Sequence, residues 1–261
     1  MLRAADGGYD PEIGWDGKAK QTVETLPQDR HDPVQDIESD TLTETGSPEE
    51  LLRHLEKVAD EAARLGDALG LSGWLEVLRW AGALHDLGKA HPVFQLTLRH
   101  AIYGDDDAGG DGRLWAKSGK SGGRHTRHYF RHELASALAV RGLDGRLEVP
   151  QRELTSYLVA THHGKVRLSI RPAPNERRPA DADAGARFAL GIVDGDVLPE
   201  VRTPVGTVPE FTLDLAVMEL GAEDSWADSA LRLRDDPDLG PFRLGLLEAL
   251  LRIADWRASG A

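Results

Sequence analysis

Five histidines and two aspartates in this 261-residue chain occupy positions that an apolar core would not choose. The pair His85-Asp86 closes a segment whose other inward positions are Leu, Ala and Gly. Two adjacent polar residues cannot both point into an apolar core, but both can reach one pocket at a helix end. In the extension Leu87-Gly88-Lys89, Gly88 permits a tight turn and Lys89 sets a cation beside the carboxylate. His162-His163 stands before Gly164, a suitable C-terminal cap. These imidazoles either fan into a single site or stand solvated at the negative end of the helix dipole. His132 precedes Ala135 and Ser136 on one face, and such small neighbours leave room for a metal or a substrate. An ordinary hydrogen-bonded histidine is the alternative there. Asp255 follows Leu251 by one turn on a strongly apolar helix, so it must be paired, protonated or metal-bound. His54 borders a buried stripe and carries the least distinctive surroundings. Cysteine is absent, which excludes disulfides, thiolate metal sites and a cysteine nucleophile. A mixed imidazole and carboxylate set suits iron, manganese, nickel, cobalt or zinc. His31, His91, His100, His125 and His128 show no comparable placement.

These residues need helices to position them. Ser47-Pro48-Glu49-Glu50 reads as a capping box, and Leu51, Leu55, Val58, Ala62, Leu65 and Leu69 then recur at helical spacing. A second helix is expected over about 72–87, stopped near Gly88, and a third is opened by Pro92 and closed near Gly104. Residues 104–127 read as loop. Helices follow at about 128–142, 151–162, 213–233 and 241–258, the last with Leu244, Leu247, Leu251 and Ala254 as its stripe. Between them, 165–212 holds six prolines and short apolar runs, which predicts an inserted loop region with one small hairpin. The fold class expected is all-α: a helical bundle with an irregular insert, over residues 47–261. Residues 1–46 are expected to form an acidic head, either flexible or laid as a polar strap on the domain surface.

The net charge of −13 is unevenly distributed. The first fifty residues hold thirteen acidic and four basic side chains, whereas the rest of the chain is close to neutral. Partner choice depends on local patches rather than on the total. Residues 113–132 contain Arg113, Lys117, Lys120, Arg124, Arg127 and Arg131 with no acidic residue, and Trp115, Tyr129 and Phe130 are interleaved. A glycine-rich basic loop with aromatics suits a flexible nucleic-acid strand. Lys165, Arg167, Arg171, Arg177 and Arg178 form a second basic stretch after the double histidine. Either stretch alone reads as a solvated loop; together, each adjoining a candidate ligand, they point towards DNA. No apolar run approaches the length of a membrane span and no signal peptide is visible, so a cytoplasmic location is expected.

In order, the chain offers a first-helix histidine, His85-Asp86-Leu87-Gly88-Lys89, Phe130-Arg131-His132-Glu133, Thr161-His162-His163-Gly164 and Ala254-Asp255-Trp256-Arg257-Ala258-Ser259. This succession resembles the HD nuclease of type I CRISPR interference, which works with a superfamily 2 helicase to degrade invader DNA. The resemblance spans about residues 47–261 and implies an HD-domain bundle with two divalent transition-metal ions (Mn, Fe, Ni or Co). It further implies that Asp86 bridges them. His54, His85 and Asp255 would complete one site, and His132, His162 and His163 the other. Lys89 would contact the scissile phosphate or stabilise developing charge. The implied partners are single-stranded DNA, the helicase and a Cascade-type effector complex. Lys117, Lys120, Arg124, Arg127, Arg131, Lys165 and Arg167 are the candidate DNA contacts. Paired metals chemically suit phosphodiester hydrolysis, because they activate water and neutralise charge on the phosphate.

Two other readings compete: an HD phosphohydrolase of nucleotides or other small phosphoesters, and a non-catalytic docking module whose histidines are structural. The chain has no Gly-x-x-x-x-Gly-Lys-Ser/Thr phosphate loop. ATP-driven unwinding is therefore expected from another chain or from a further part of this one.

Overall fold

The computed structural model describes residues 8–10, 14–16, 46–104, 112–120, 125–143, 145–164, 166–180, 182–222 and 224–260. The chain divides into two units, Met1–Ile37 and Glu38–Ala261. In the first, strands β1 (Gly8–Asp10) and β2 (Gly14–Asp16) pair antiparallel, with Tyr9 opposite Trp15.

The second unit opens with a departure from the expected capping box. Glu49–Glu50 form a short strand, β3, paired antiparallel with β4 (Trp115–Lys117), and Glu50 rather than Ser47 sits at the N-cap without a side-chain cap. The first amides of a helix need partners from outside it. Here the Leu51 N–H donates to the Leu114 carbonyl at 2.8 Å, so a neighbouring strand does the work assigned to serine. Helix α1 (Leu51–Ala68) then buries Leu51, His54, Leu55, Val58 and Ala62 along one stripe.

A short 3-10 turn (Ser72–Trp74) leads into α2 (Leu75–Leu84), which ends three residues earlier than expected. His85 and Asp86 lie just beyond it, followed by the 3-10 turn Leu87–Ala90. Pro92 opens α3 (Pro92–Tyr103), and His91 Nδ1 accepts from the Val93 N–H at 3.2 Å as its cap. Helices α4 (His132–Arg141) and α5 (Val149–Thr161) are buried along most of their length. Helix α6 (Trp226–Asp235) is capped by Ser225, and α7 (Gly240–Ala258) buries Leu244, Leu247, Leu251, Ala254 and Asp255.

Helix α1 packs on α2 and α7, α4 packs on α5, and α2 also meets α5. The α1–α2 crossing is close because a Cβ on Gly82 would lie 2.7 Å from Ala59 Cα. None of the helices among the described residues is long and apolar enough to cross a membrane.

The insert is more ordered than one hairpin. Strands β5 (Phe188–Ala189) and β6 (Ile192–Val193) turn through Leu190 and Gly191, both at positive φ, the pattern of a type I′ turn. Strand β7 (Val197–Leu198) pairs with β10 (Phe211–Thr212), enclosing the hairpin of β8 (Val201–Thr203) and β9 (Gly206–Val208). The body is therefore mainly helical, with seven α-helices and small two-stranded sheets among the described residues, rather than purely all-α. Runs of two or three paired residues are too short to impose a period on the sequence.

Candidate metal centre

All seven candidate ligands converge in the second unit. His54 comes from the first turn of α1, His85 and Asp86 from just past the end of α2, and His132 from the first turn of α4. His162 and His163 follow α5, and Asp255 sits near the end of α7. All but His163 are buried, with His54 and His85 wholly inaccessible.

Asp86 is the hub. Its Oδ2 lies 3.2 Å from His54 Nε2, 3.2 Å from His85 Nε2 and 3.0 Å from Lys89 Nζ. Its Oδ1 faces the opposite group, 3.1 Å from His132 Nε2 and 3.8 Å from His162 Nε2. Asp255 Oδ1 joins the first group at 3.2 Å from His54 Nε2 and 3.8 Å from His85 Nε2. His163 Nε2 joins the second at 3.2 Å from His132 Nε2. Each carboxylate oxygen of Asp86 thus serves a different cluster of imidazoles.

The local sequence explains the aim of the rings. His85 Nδ1 donates to the Gly82 carbonyl at 2.8 Å, and His162 Nδ1 donates to the Val159 carbonyl at 2.6 Å. The same three-residue reach back at a helix C-terminus keeps Nδ1 protonated in both rings and directs both Nε2 atoms inwards, where each could ligate an ion once free of a proton. Gly88 anchors the intervening turn. Its N–H donates to Ser136 Oγ at 2.7 Å, and a Cβ there would lie 2.1 Å from the His132 carbonyl oxygen. That close approach brings Asp86 to the first turn of α4. Gly164, at φ +74°, ends the double-histidine turn as expected.

Charge in this pocket is strongly coupled. Burial alone would depress His85, but the carboxylates of Asp86 and Asp255 outweigh it and push the ring up to about 10. His54 is pushed up to about 9 against the same burial by Asp255, Asp86 and Glu49. Burial would raise Asp86, yet His85, Lys89, His132 and His54 hold it well below the usual carboxylate range. Asp255 is held low by His54 and His85 against its own burial. Burial and the neighbouring rings of His163 and His85 drive His162 down, so it stays neutral.

The donor set fits metal. Both nitrogens of His54, His85 Nε2, His162 Nε2 and Asp86 Oδ1 are buried and have charge contacts but no well-directed hydrogen bond among the described residues, an expensive arrangement for protein alone. Donors around one ion sit about 2.0–2.2 Å from it and therefore roughly 3 Å apart, which is the spacing found here. His132, His162 and His163 form one group able to hold an ion, and His54, His85 and Asp86 form another.

The candidate DNA contacts divide. Lys117 and Arg131 are buried rather than surface-facing. Lys117 Nζ donates to Ser259 Oγ at 2.6 Å and faces Glu49, while Arg131 pairs with buried Glu133 at 3.5 Å. Arg127 is held in a two-pronged pair with Asp196 at 2.6 and 2.7 Å, tying its loop to the insert. Lys120 is exposed, and half-exposed Arg167 pairs with Glu248 at 2.6 Å. Arg124 and Lys165 lie outside the described residues. Lys89 is also buried, against Asp86 and 3.4 Å from the Ala116 carbonyl.

Several supporting residues escaped the sequence reading. Glu49 stands 3.4 Å from His54 Nδ1, and Glu133 stands 3.8 Å from His132 Nδ1. Gln95 clamps the Lys89 and Trp115 carbonyls at 2.7 and 2.8 Å. Glu133, immediately after His132, carried the one usable signal: an acidic residue in a helix turn otherwise lined by small apolar side chains.

A family model described as Cas3, HD domain, matches residues 42–261. No curated protein and no solved structure matches the chain.

Proposed function

The chain belongs to the Cas3 HD domain family, the HD nuclease of type I CRISPR systems, and from that premise we propose a metal-dependent phosphodiesterase that prefers single-stranded DNA. In this reading it acts in the cytoplasm in antiviral defence. A superfamily 2 helicase, in the same full-length chain or in trans, and a Cascade-type complex deliver the strand.

The observation that carries the reading is the division of Asp86, with one oxygen towards His54 and His85 and the other towards His132 and His162, which Asp255 and His163 join through those imidazoles. These seven residues would hold two divalent ions. When bound, such ions activate water and neutralise charge on the phosphodiester. The chain's own residues provide the rest. Gly82 and Val159 carbonyls keep Nδ1 protonated in two imidazoles, and burial excludes bulk water from the donor atoms. Lys89 places a fixed cation beside the shared carboxylate, where it can stabilise negative charge developing nearby. A cavity of about 650 Å³ is lined by Arg127, His128, Tyr129 and Arg177, from the two basic stretches, and we assign it to the nucleic-acid strand. Lys120 and Arg177 are the exposed cations we assign to strand contact.

Manganese-loaded protein incubated with single-stranded DNA, duplex DNA and free nucleotides tests the substrate assignment. Single strands are expected to be cut fastest. Faster hydrolysis of nucleotides would instead support a small-phosphoester hydrolase.

A further inference from the structure

The two halves of the centre are held from outside in different ways. Behind the His54 half runs a closed ring of polar contacts. Glu49 Oε2 lies 3.4 Å from His54 Nδ1, and His54 Nε2 lies 3.2 Å from Asp255 Oδ1. Ser259 Oγ donates to that same Asp255 oxygen at 3.4 Å and accepts from Lys117 Nζ at 2.6 Å. Lys117 Nζ closes the ring 3.5 Å from Glu49 Oε2. Lys57 fixes the remaining Glu49 oxygen at 2.5 Å. Four separate elements, β3, α1, β4 and α7, contribute one member each, and Ser259, the C-cap of α7, is the fifth. The pairing of Glu49 with Lys117 across β3 and β4 sets the ring's geometry.

Different contacts stand behind the other half, where Arg131 faces Glu133 at 3.5 Å. His162 leans on a backbone carbonyl, and the nearest carboxylate to His132 Nδ1 is Glu133 at 3.8 Å. A cavity of about 600 Å³ is lined by Glu49, Lys117 and Ser259 but not by His54 or Asp255. Glu49, Lys117 and Ser259 therefore stand between this cavity and the two candidate ligands.

From this geometry we infer that Glu49, with Lys117 and Ser259, is a positioning group that sets the affinity of the His54–His85–Asp255 half for its ion. The inference rests on the metal-nuclease reading above. A carboxylate behind a ligating imidazole fixes its tautomer and raises its basicity, and Ser259 orients Asp255 from the opposite end. Loss of such an outer partner typically weakens metal binding about 10–100-fold. The effect should be confined to one ion, because neither Glu49 nor Ser259 touches His132, His162 or His163.

Manganese(II) titration of the metal-free protein, read by calorimetry and by electron paramagnetic resonance, tests this with Glu49→Gln and Ser259→Ala. Wild type is expected to bind two ions and to show a spin-coupled signal. Glu49→Gln should bind one ion with wild-type affinity and the other about 10–100-fold more weakly, with an uncoupled signal at limiting manganese. Excess manganese should restore both coupling and cleavage. Ser259→Ala, which leaves Glu49 and its lysines in place, should weaken the same ion. Two wild-type affinities in both variants would overturn the inference. So would equal weakening of both ions together with a lower unfolding temperature of the metal-free protein, the mark of a purely structural role. A wild type that binds no manganese would remove the metal reading itself, and the inference with it.

Discussion

Without metal, His54 and His85 both rest on the Asp86 Oδ2 atom and share Asp255 Oδ1, so the cluster is held by charge that an ion would replace. The two rings are raised from an ordinary value near 6.5 to about 9 and about 10. A raised histidine contributes its full stabilisation below the unfolded value and loses it as pH climbs through the folded one. The metal-free protein should therefore lose stability between pH 7 and 10. The metal-loaded protein, whose ligating imidazoles are already neutral, should not follow that slope. Unfolding temperatures of both forms across this range check the point; parallel curves would contradict it. Manganese binding at pH 7 should also release protons, visible as a dependence of the calorimetric heat on the buffer's ionisation enthalpy.

At the scale of elements, the centre depends on helices that end or cross at defined places. Gly82 has two roles: its carbonyl accepts from His85, and its missing side chain lets α2 approach Ala59 on α1. Gly82→Ala would push these helices apart, separating His54 from His85. An overpacking cost of about 1–3 kcal/mol is expected, with weaker metal binding, measured by urea unfolding and manganese titration. Unchanged values for both would show that the crossing tolerates a methyl group. The helices that bear the candidate ligands were legible because their apolar residues recur at helical spacing, and His85-Asp86, His162-His163 and Asp255 each break an otherwise apolar pattern. Glu49 was not legible. In a linear reading it belongs to a capping box, and only its pairing with Lys117, sixty-eight positions away, turns it towards His54. The β5–β10 ribbons were hidden for a related reason: their partners are set by tertiary packing, not by a period.

Across the whole molecule, charge gave a poorer guide than polarity within helices. The basic run 113–132 looked uniformly solvent-facing, yet Lys117 and Arg131 are buried and Arg127 is committed to Asp196. A count of cations cannot tell a strand-binding side chain from one that balances a buried carboxylate. The surface cations Lys120 and Arg177 carry the proposed strand contact instead. Lys120→Gln with Arg177→Gln should weaken binding of single-stranded DNA and flatten its salt dependence by about 0.7 in log–log slope for each phosphate no longer neutralised. Metal content should be unchanged. Arg131→Gln should act differently, lowering stability because Glu133 would keep its buried charge without its cation. Equal effects of all three substitutions on DNA binding alone would contradict this division.

We propose that Asp86 joins two metal ions and that cleavage depends on the pair. The most direct measurement compares wild type and Asp86→Ala for manganese content and single-stranded DNA cleavage on the same folded samples, with circular dichroism matching their helical content. Two ions per wild-type chain, with loss of ion pairing and of cleavage together in Asp86→Ala, is the predicted result. Undiminished cleavage by Asp86→Ala, or cleavage by wild type stripped of metal, would contradict it.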